Sequence, residues 1–290
     1  MKDCIIKINE SLDSLPRREK ILASYILSNL KDVSKMTITV LSKKSKTSAA
    51  TIVRFANRLG YTGYRDFTKS LFSDVENGAT YPENIMDLEN IDESDTSMAA
   101  TISRVSNGNI EAIQKSMKIL EPTAIEKACN FIDKAGKVYL YAIGGSAIAI
   151  RDAVFKFQRL GIECQAFDNA HDQILSASIL RTGDVAFYVS YSGESKELLK
   201  SLKIAKENKA TSIALTKFGE NSISKLADLN IHHASVAEGV RTNSTKSRIA
   251  QLNVIDIIFA RLAEQRLDSL KRFYNLTNDV FLRDKDLIKK

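Results

Sequence analysis

From about residue 123 the chain alternates short apolar segments with longer helical ones, and this alternation constrains the fold more than any other feature. Strands are expected over 137–143, 162–167, 184–190, 212–216 and 229–233. Helices are expected over 147–160, 171–181, 195–208 and 221–227. Strands separated by helices of this length build βαβ units and a parallel sheet. The strands are apolar on both faces, as in Val138-Tyr139-Leu140-Tyr141-Ala142-Ile143, which fits a sheet covered by helices on both sides. A long helix follows from about 245 to 266. Its apolar residues Ile249, Leu252, Ile255, Ile258, Phe259 and Leu262 occupy more than one side. It is either a central core helix or a helix that needs a second surface, such as another subunit.

The first 76 residues read as helices instead. Pro16 precedes a helix from Arg17 to Leu30 with Ile21, Leu22, Tyr25, Ile26 and Leu30 at helical spacing. A short helix is expected from Thr39 to Lys44, buried through Val40 and Leu41, and a third from Ser48 to Gly60. A helix from Met98 to Leu120 offers Ile102, Val105, Ile113 and Met117 as packing contacts. Charge follows the same division. Lys/Arg against Asp/Glu is 14 to 8 in residues 1–77, 1 to 6 in 78–110 and 27 to 21 in 111–290. A basic N-terminal third attracts phosphate backbones, although a solvated Lys-rich face has the same composition. Residues 77–97, acidic and without apolar periodicity, read as a linker.

Other classes are excluded early. No apolar run approaches the roughly 20 residues of a membrane span, so no membrane partner is expected. Cys4, Cys129 and Cys164 are scattered, which points to a reducing cytoplasm rather than a disulfide scaffold. The three histidines and three cysteines form no zinc-ligand spacing, and no metal, cofactor or catalytic set is expected.

Within the basic third, Thr37 to Gly60 has the logic of a helix-turn-helix. Ser48 can cap the second helix, and Gly60 provides its stop. Ile52, Val53, Phe55 and Leu59 are expected inward, and Thr51, Arg54, Asn57 and Arg58 outward. Such a helix enters a major groove with its N-terminal residues, Ser48, Ala49 and Ala50 included, near the bases. Arg54 and Arg58 suit phosphate or guanine, and Asn57 suits adenine. An ordinary helical hairpin with a basic face has the same pattern. At Thr47-Ser48-x-Ala50-Thr51-Ile52-x-Arg54-Phe55 and Leu59-Gly60-Tyr61-x-Gly63-Tyr64-x-x-Phe67 the sequence resembles the RpiR family of bacterial transcriptional regulators. The resemblance implies that 48–59 is the recognition helix, supported by Tyr61 to Phe67.

Two loops carry the second motif. Gly144-Gly145-Ser146 follows the first strand, and Ser190-Tyr191-Ser192-Gly193-Glu194-Ser195 follows the third. In a parallel α/β sheet such loops lie at the carboxyl ends of strands, where ligands bind. Gly145 and Gly193 let backbone approach a ligand. Ser146, Ser190, Ser192 and Ser195, with helix N-terminal amides, can hold a phosphate without a cation. Each serine alone is equally a helix cap. These loops resemble the sugar isomerase (SIS) domain, whose Ser-x-Ser-Gly-x-Ser/Thr-x-Glu motif matches Ser190 to Glu197; Ala142 departs from its first-loop glycine. His171 can bond a sugar hydroxyl or serve the helix start. SIS-type regulators commonly carry Glu and Arg where Glu238 and Arg241 stand, near the sugar or across a dimer contact.

The resemblance implies a flavodoxin-like α/β SIS domain with helices on both faces, behind an all-α helix-turn-helix domain. The corresponding segments are 1–77 for DNA binding, 78–110 for an acidic linker and connecting helix, 111–270 for the SIS domain and 271–290 for a helical tail. It implies a regulator, not an enzyme, with three partners: an operator duplex, an amino-sugar or hexose phosphate effector, and a second copy in a homodimer or dimer of dimers. A phosphosugar isomerase is the competing class, for which Glu197, Glu238 and His171 would have to supply a base. The helix-turn-helix favours the regulator, since an isomerase has no need of one.

Overall fold

The computed structural model describes residues 4–76, 97–234 and 243–283. They fall into two compact units. One holds residues 4–76, 97–119, 217–221 and 232–234; the other holds 120–216, 222–231 and 243–283.

The first unit is built from α1 (Cys4–Ser11), α2 (Arg17–Ser28), α3 (Leu30–Val33), α4 (Ile38–Ser45), α5 (Ala49–Arg58), α6 (Tyr64–Glu76) and α7 (Met98–Ile119). Its core gathers Ile8, Leu22, Ile26, Leu41, Ile52, Phe55, Leu59 and Phe67. Phe67 is the hub of three aromatic contacts: its ring centroid lies 5.8 Å from Phe55, 5.6 Å from Tyr61 and 6.3 Å from Tyr64. Desolvation in this core raises the Tyr61 phenol far above its usual range, with Cys4 and Asp74 adding to the shift. α7 turns the other way round from expectation. It buries its small residues Gly108, Ala112 and Ser116 together with Ile119, and leaves Met98, Ile102, Val105, Ile113 and Met117 exposed. Close approach of a helix to its neighbours needs small side chains at the contact, and that requirement selects the opposite face. The helix is continuous across 110/111, so a boundary there divides one element.

The second unit is a parallel sheet with strand order β2-β1-β3-β4-β5. The strands are β1 (Val138–Ala142), β2 (Cys164–Phe167), β3 (Val185–Ser190), β4 (Thr211–Lys217) and β5 (Leu229–His233). Connecting helices are α8 (Pro122–Lys134), α9 (Ala147–Gln158), α10 (Ala170–Ser178), α11 (Lys196–Glu207) and α12 (Ser222–Leu226), followed by α13 (Asn243–Gln265) and α14 (Leu267–Arg283). Alternation along each strand splits the core in two. Val138, Leu140, Val185, Phe187, Val189, Ile213 and Leu215 face one layer, into which α13 inserts Val254, Ile255, Ile258 and Leu262. Tyr141, Ala186, Tyr188 and Ala214 face the other, closed by Leu198 and Leu202 of α11. The rings of Tyr141 and Tyr188 stack at 4.8 Å.

The strand order reverses between β1 and β3, which are neighbours in space but not in sequence. Chains leaving such a pair diverge to opposite faces and open a crevice at their carboxyl ends. The two serine loops leave from these two strands.

Candidate functional site

The first site is the exposed face of α5. Thr37 Oγ1 accepts from Val40 N at 3.4 Å to start α4, and Ser48 Oγ accepts from Thr51 N at 3.1 Å to start α5. Between them Lys46 adopts a left-handed conformation, φ 54°. Ser42 Oγ donates to Thr47 O at 2.6 Å and closes the turn. After α5, Gly60 takes φ 83°, a value that suits glycine, and Tyr61 N donates back to Ala56 O at 3.0 Å.

The face left to solvent is Ser48, Ala49, Ala50, Val53, Arg54 and Asn57. It differs from the expected one at two positions. Thr51 is 3% exposed, because its hydroxyl bonds Ser48 Oγ at 2.9 Å within the cap; Val53, expected inward, is 37% exposed. Val40, expected to bury in α4, is also exposed. Arg54 reaches back to Thr51 Oγ1 at 3.4 Å and otherwise faces out. Arg58 is not a freely outward cation. Its Nε donates to Glu19 Oε2 at 2.9 Å and its Nη1 to Glu220, two carboxylates on one guanidinium.

The second site is a cavity of about 250 Å³ in the sheet unit, lined by both serine loops. Ser146 from the first loop and Ser190, Ser192 and Ser195 from the second come together there with Gly145. Gly144, at φ 61°, and Gly193, at φ 68°, turn the two loops in a conformation that side chains disfavour. The hydroxyls divide into two kinds. Ser190 Oγ accepts from Gly193 N and Ser192 Oγ from Glu194 N, each at 3.2 Å, so these two also shape the loop. Ser146 and Ser195 stand at the N-cap positions of α9 and α11, yet neither makes a side-chain cap bond. Ile143, Val189 and Leu198 supply apolar wall, and Tyr191 and Ser247 complete the lining. Among the described residues, no lining residue carries a charge. An anion there would meet hydroxyl donors and the amide ends of two helices, where the helix dipole favours negative charge.

Ser247, in the first turns of α13, is not legible in the sequence. It is brought in by the return of a distant helix, and Ser-Thr-Lys-Ser carries no spacing that marks it. His171 is exposed on α10 and is not among the lining residues. Nor does it cap its helix, since Asn169 Oδ1 accepts from Asp172 N at 2.9 Å and fills that role. Glu197 is exposed in the first turn of α11, also outside the lining. Glu238 and Arg241 lie outside the described residues. His233, at the end of β5, is fully buried; desolvation pushes its imidazole down to about 4, partly opposed by its contact with Ala234 O at 2.9 Å.

A helix-turn-helix with a basic outer face and a hydroxyl-lined crevice at the sheet's switch point define a class: DNA-binding regulators with a SIS domain. Known proteins of that class match the chain along its length. Residues 2–78 match the helix-turn-helix domain of the rpiR family, and residues 131–261 match the SIS domain. An HTH-type transcriptional regulator of Caldanaerobacter subterraneus subsp. tengcongensis is 32% identical over 280 residues, 97% of each chain. The HTH-type transcriptional regulator RpiR of Escherichia coli K12 is 30% identical over 221 residues, 76% of this chain and 73% of that one. Among solved structures, the Vibrio vulnificus NanR protein complexed with ManNAc-6P covers 96% of this chain and 99% of its own, with a TM-score of 0.57 at 22% identity, a likeness of fold. The chain belongs to the RpiR family of HTH-type transcriptional regulators, and is a regulator rather than an enzyme.

Proposed function

We propose that this regulator senses a phosphosugar, an amino-sugar or hexose phosphate, whose phosphate sits between the loops after β1 and β3, and that occupancy changes operator affinity. The observation that carries the reading is the pair Ser146 and Ser195. Both stand at helix N-cap positions with hydroxyls that make no cap bond, and both line one cavity without a charged wall. A phosphate monoester satisfies those hydroxyls and two helix ends together. At about 250 Å³ the cavity lies just below the range of roughly 300–1,000 Å³ typical of drug-sized ligands, which suits a small, polar one. Two neighbours support the class, since the Vibrio vulnificus NanR structure contains ManNAc-6P and an Escherichia coli CFT073 protein was solved in complex with arabinose 5-phosphate. Among the described residues no acid or base lines the cavity, so it binds without supplying the base an isomerase needs.

The operator is read by Ser48, Ala49, Ala50, Arg54 and Asn57, with the exposed Val53 suited to a thymine methyl. Thr51 acts from within the cap, and Arg58 contributes when it exchanges a carboxylate for a phosphate. The protein works in the cytoplasm as a homodimer or dimer of dimers on a palindromic site. The effector shifts the dimer between two states by no more than its differential affinity for them. Glu238 and Arg241 remain candidates for sugar contact, and His171 for a contact made only on ligand binding. The segments 1–77 and 111–270 serve DNA binding and sensing, joined through 78–110, with 271–290 as a helical tail.

A thermal-shift series tests the reading. The full chain is melted with N-acetylmannosamine 6-phosphate, glucosamine 6-phosphate, glucose 6-phosphate and arabinose 5-phosphate, and with each parent sugar. A specific effector at 100 times its Kd adds about 2.7 kcal/mol of stability. At least one phosphosugar should stabilise while its parent sugar does not. Equal shifts from the parent sugars, or none from any phosphosugar, would overturn the proposal.

A further inference from the structure

Two links lie two residues apart in the chain, one in each unit. In the sheet unit, Glu194 of the second serine loop accepts from Ser222 N at 2.9 Å and from Ser222 Oγ at 2.5 Å. Ile223 N donates to Gly193 O of the same loop at 2.9 Å. The start of α12 is therefore tied to the loop that carries Ser190, Ser192 and Ser195. Immediately before Ser222, residues 217–221 belong to the other unit. There Glu220 pairs with Arg58, the last residue of α5. Its neighbours are fixed in the same place. Lys7 Nζ stands 5.7 Å from the Phe218 ring, and a Cβ on Gly219 would fall 2.7 Å from Ser14 Oγ. Gly219 also takes φ 107°, so both the space and the backbone require glycine.

Charge gives this strap a consequence. Arg58 meets two carboxylates of different character. Glu19, with a side chain 5% exposed, is a buried partner that orients the guanidinium; Glu220, at 45%, is exposed and displaceable. Two negative charges on one positive leave the end of α5 net negative, and a DNA phosphate approaching Arg58 must compete with Glu220.

We propose that Glu220 is a built-in brake on the recognition helix, occupying Arg58 against DNA, and that the Ser190–Ser195 loop sets the brake through Glu194 and Ser222. The DNA half stands on the helix-turn-helix alone. The link to sensing rests on the phosphosugar reading of the loop, so every arm of the test is run without ligand. The loss of that reading would show in the thermal-shift series and not here.

The test uses the full chain and a duplex selected by the wild-type protein from a random pool. Dissociation constants and their salt dependence are measured for wild type, Glu220→Gln, Arg58→Ala, Glu194→Ala and the two double variants that contain Glu220→Gln. Removing an exposed ion-pair partner should tighten binding about three- to fivefold at low salt. Freeing one cation for phosphate should steepen the salt slope by about 0.9. The gain should vanish in the Arg58→Ala background, as a double-mutant cycle requires when one residue acts through the other. Glu194→Ala should tighten binding in the same direction, with no further effect once Glu220 is Gln. Melting curves confirm that each variant is folded. Unchanged affinity and slope in Glu220→Gln would overturn the brake. A gain that persists without Arg58 would show a general charge effect and overturn it equally. Glu194→Ala without effect would overturn the route through the serine loop.

Discussion

Replacing Ser195 by alanine separates a ligand-binding hydroxyl from a structural one. At a working N-cap, Ser→Ala costs about 0.5–2 kcal/mol because a helix amide loses its acceptor. Ser195 precedes α11 with φ −65° and ψ 118°, but its side chain makes no cap bond. The substitution should therefore change unfolding stability by no more than about 0.5 kcal/mol. Its effect on the effector should be large. A hydroxyl bonded to a charged phosphate is worth about 1.5–3 kcal/mol. That is about a 10- to 150-fold loss of affinity at 1.4 kcal/mol per factor of ten. Ser190→Ala is the internal comparison. Its buried hydroxyl accepts from Gly193 N, so it should lose about 1 kcal/mol of stability as well as affinity. Calorimetric titration with the phosphosugar that gives the largest thermal shift, paired with chemical denaturation of each variant, reads both quantities. If Ser195→Ala loses stability as a cap would and binds the phosphosugar like wild type, the assignment of this hydroxyl to the ligand is wrong.

Arg54→Ala should weaken operator binding by about 1–3 kcal/mol if the side chain reads a base, or uniformly across sequences with a salt slope lowered by about one if it meets phosphate; filter binding at several salt concentrations distinguishes these and would expose an unchanged affinity. Gly193→Ala places a side chain at φ 68° and should cost about 1–2 kcal/mol while weakening the phosphosugar, as read by melting and titration. Ser190→Ala with Ser192→Ala should leave ligand-free operator affinity intact and abolish its response to the effector in a gel-shift titration; loss of DNA binding itself would mean that the loop serves assembly. His233 sets a pH dependence. Its folded value of about 4 lies below the ordinary 6.5, so between these values the unfolded chain binds more protons, and its contribution, present in full above pH 6.5, falls as pH drops toward 4. The full loss is about 3 kcal/mol, and His233→Gln should flatten that part of the stability profile in denaturant melts from pH 7 to 4.5.

Much of the fold is legible because local chemistry and tertiary structure agree. Strands β1 to β5 fall within a residue or two of their apolar segments, since a sheet covered on both faces needs continuous apolar runs that nothing else in the chain imitates. Both serine loops are readable because glycine and serine at a strand end have few other uses. Sequence reasoning fails where packing chooses between equivalent faces. Val53 and Thr51 differ in hydropathy in the wrong sense for their positions: capping draws Thr51 in, and Val53 lies on the side turned to solvent. In α7, Ile102 and Met117 look like core residues, but close approach selects Gly108 and Ala112. Arg58 cannot be read as paired, because Glu19 and Glu220 are 39 and 162 residues away. Ser247 is hidden for the same reason.

The first unit closes its core with residues from far along the chain. Phe218 and Ala234 join Leu22, Phe55 and Phe67 in one apolar cluster, and Ala234 N is tied to Ser116 Oγ at 3.1 Å. A ribosome has made the whole recognition helix long before it makes these residues. During synthesis the helix-turn-helix must therefore wait, its core incomplete, until most of the sheet has emerged. A nascent or truncated chain ending before residue 217 lacks Phe218 and Glu220 alike, so it would present Arg58 without the carboxylate that competes with DNA. The order of synthesis thus links completion of the sensor to control of the DNA-binding surface, and a fragment cut at residue 77 is a different molecule from the same residues in the full chain.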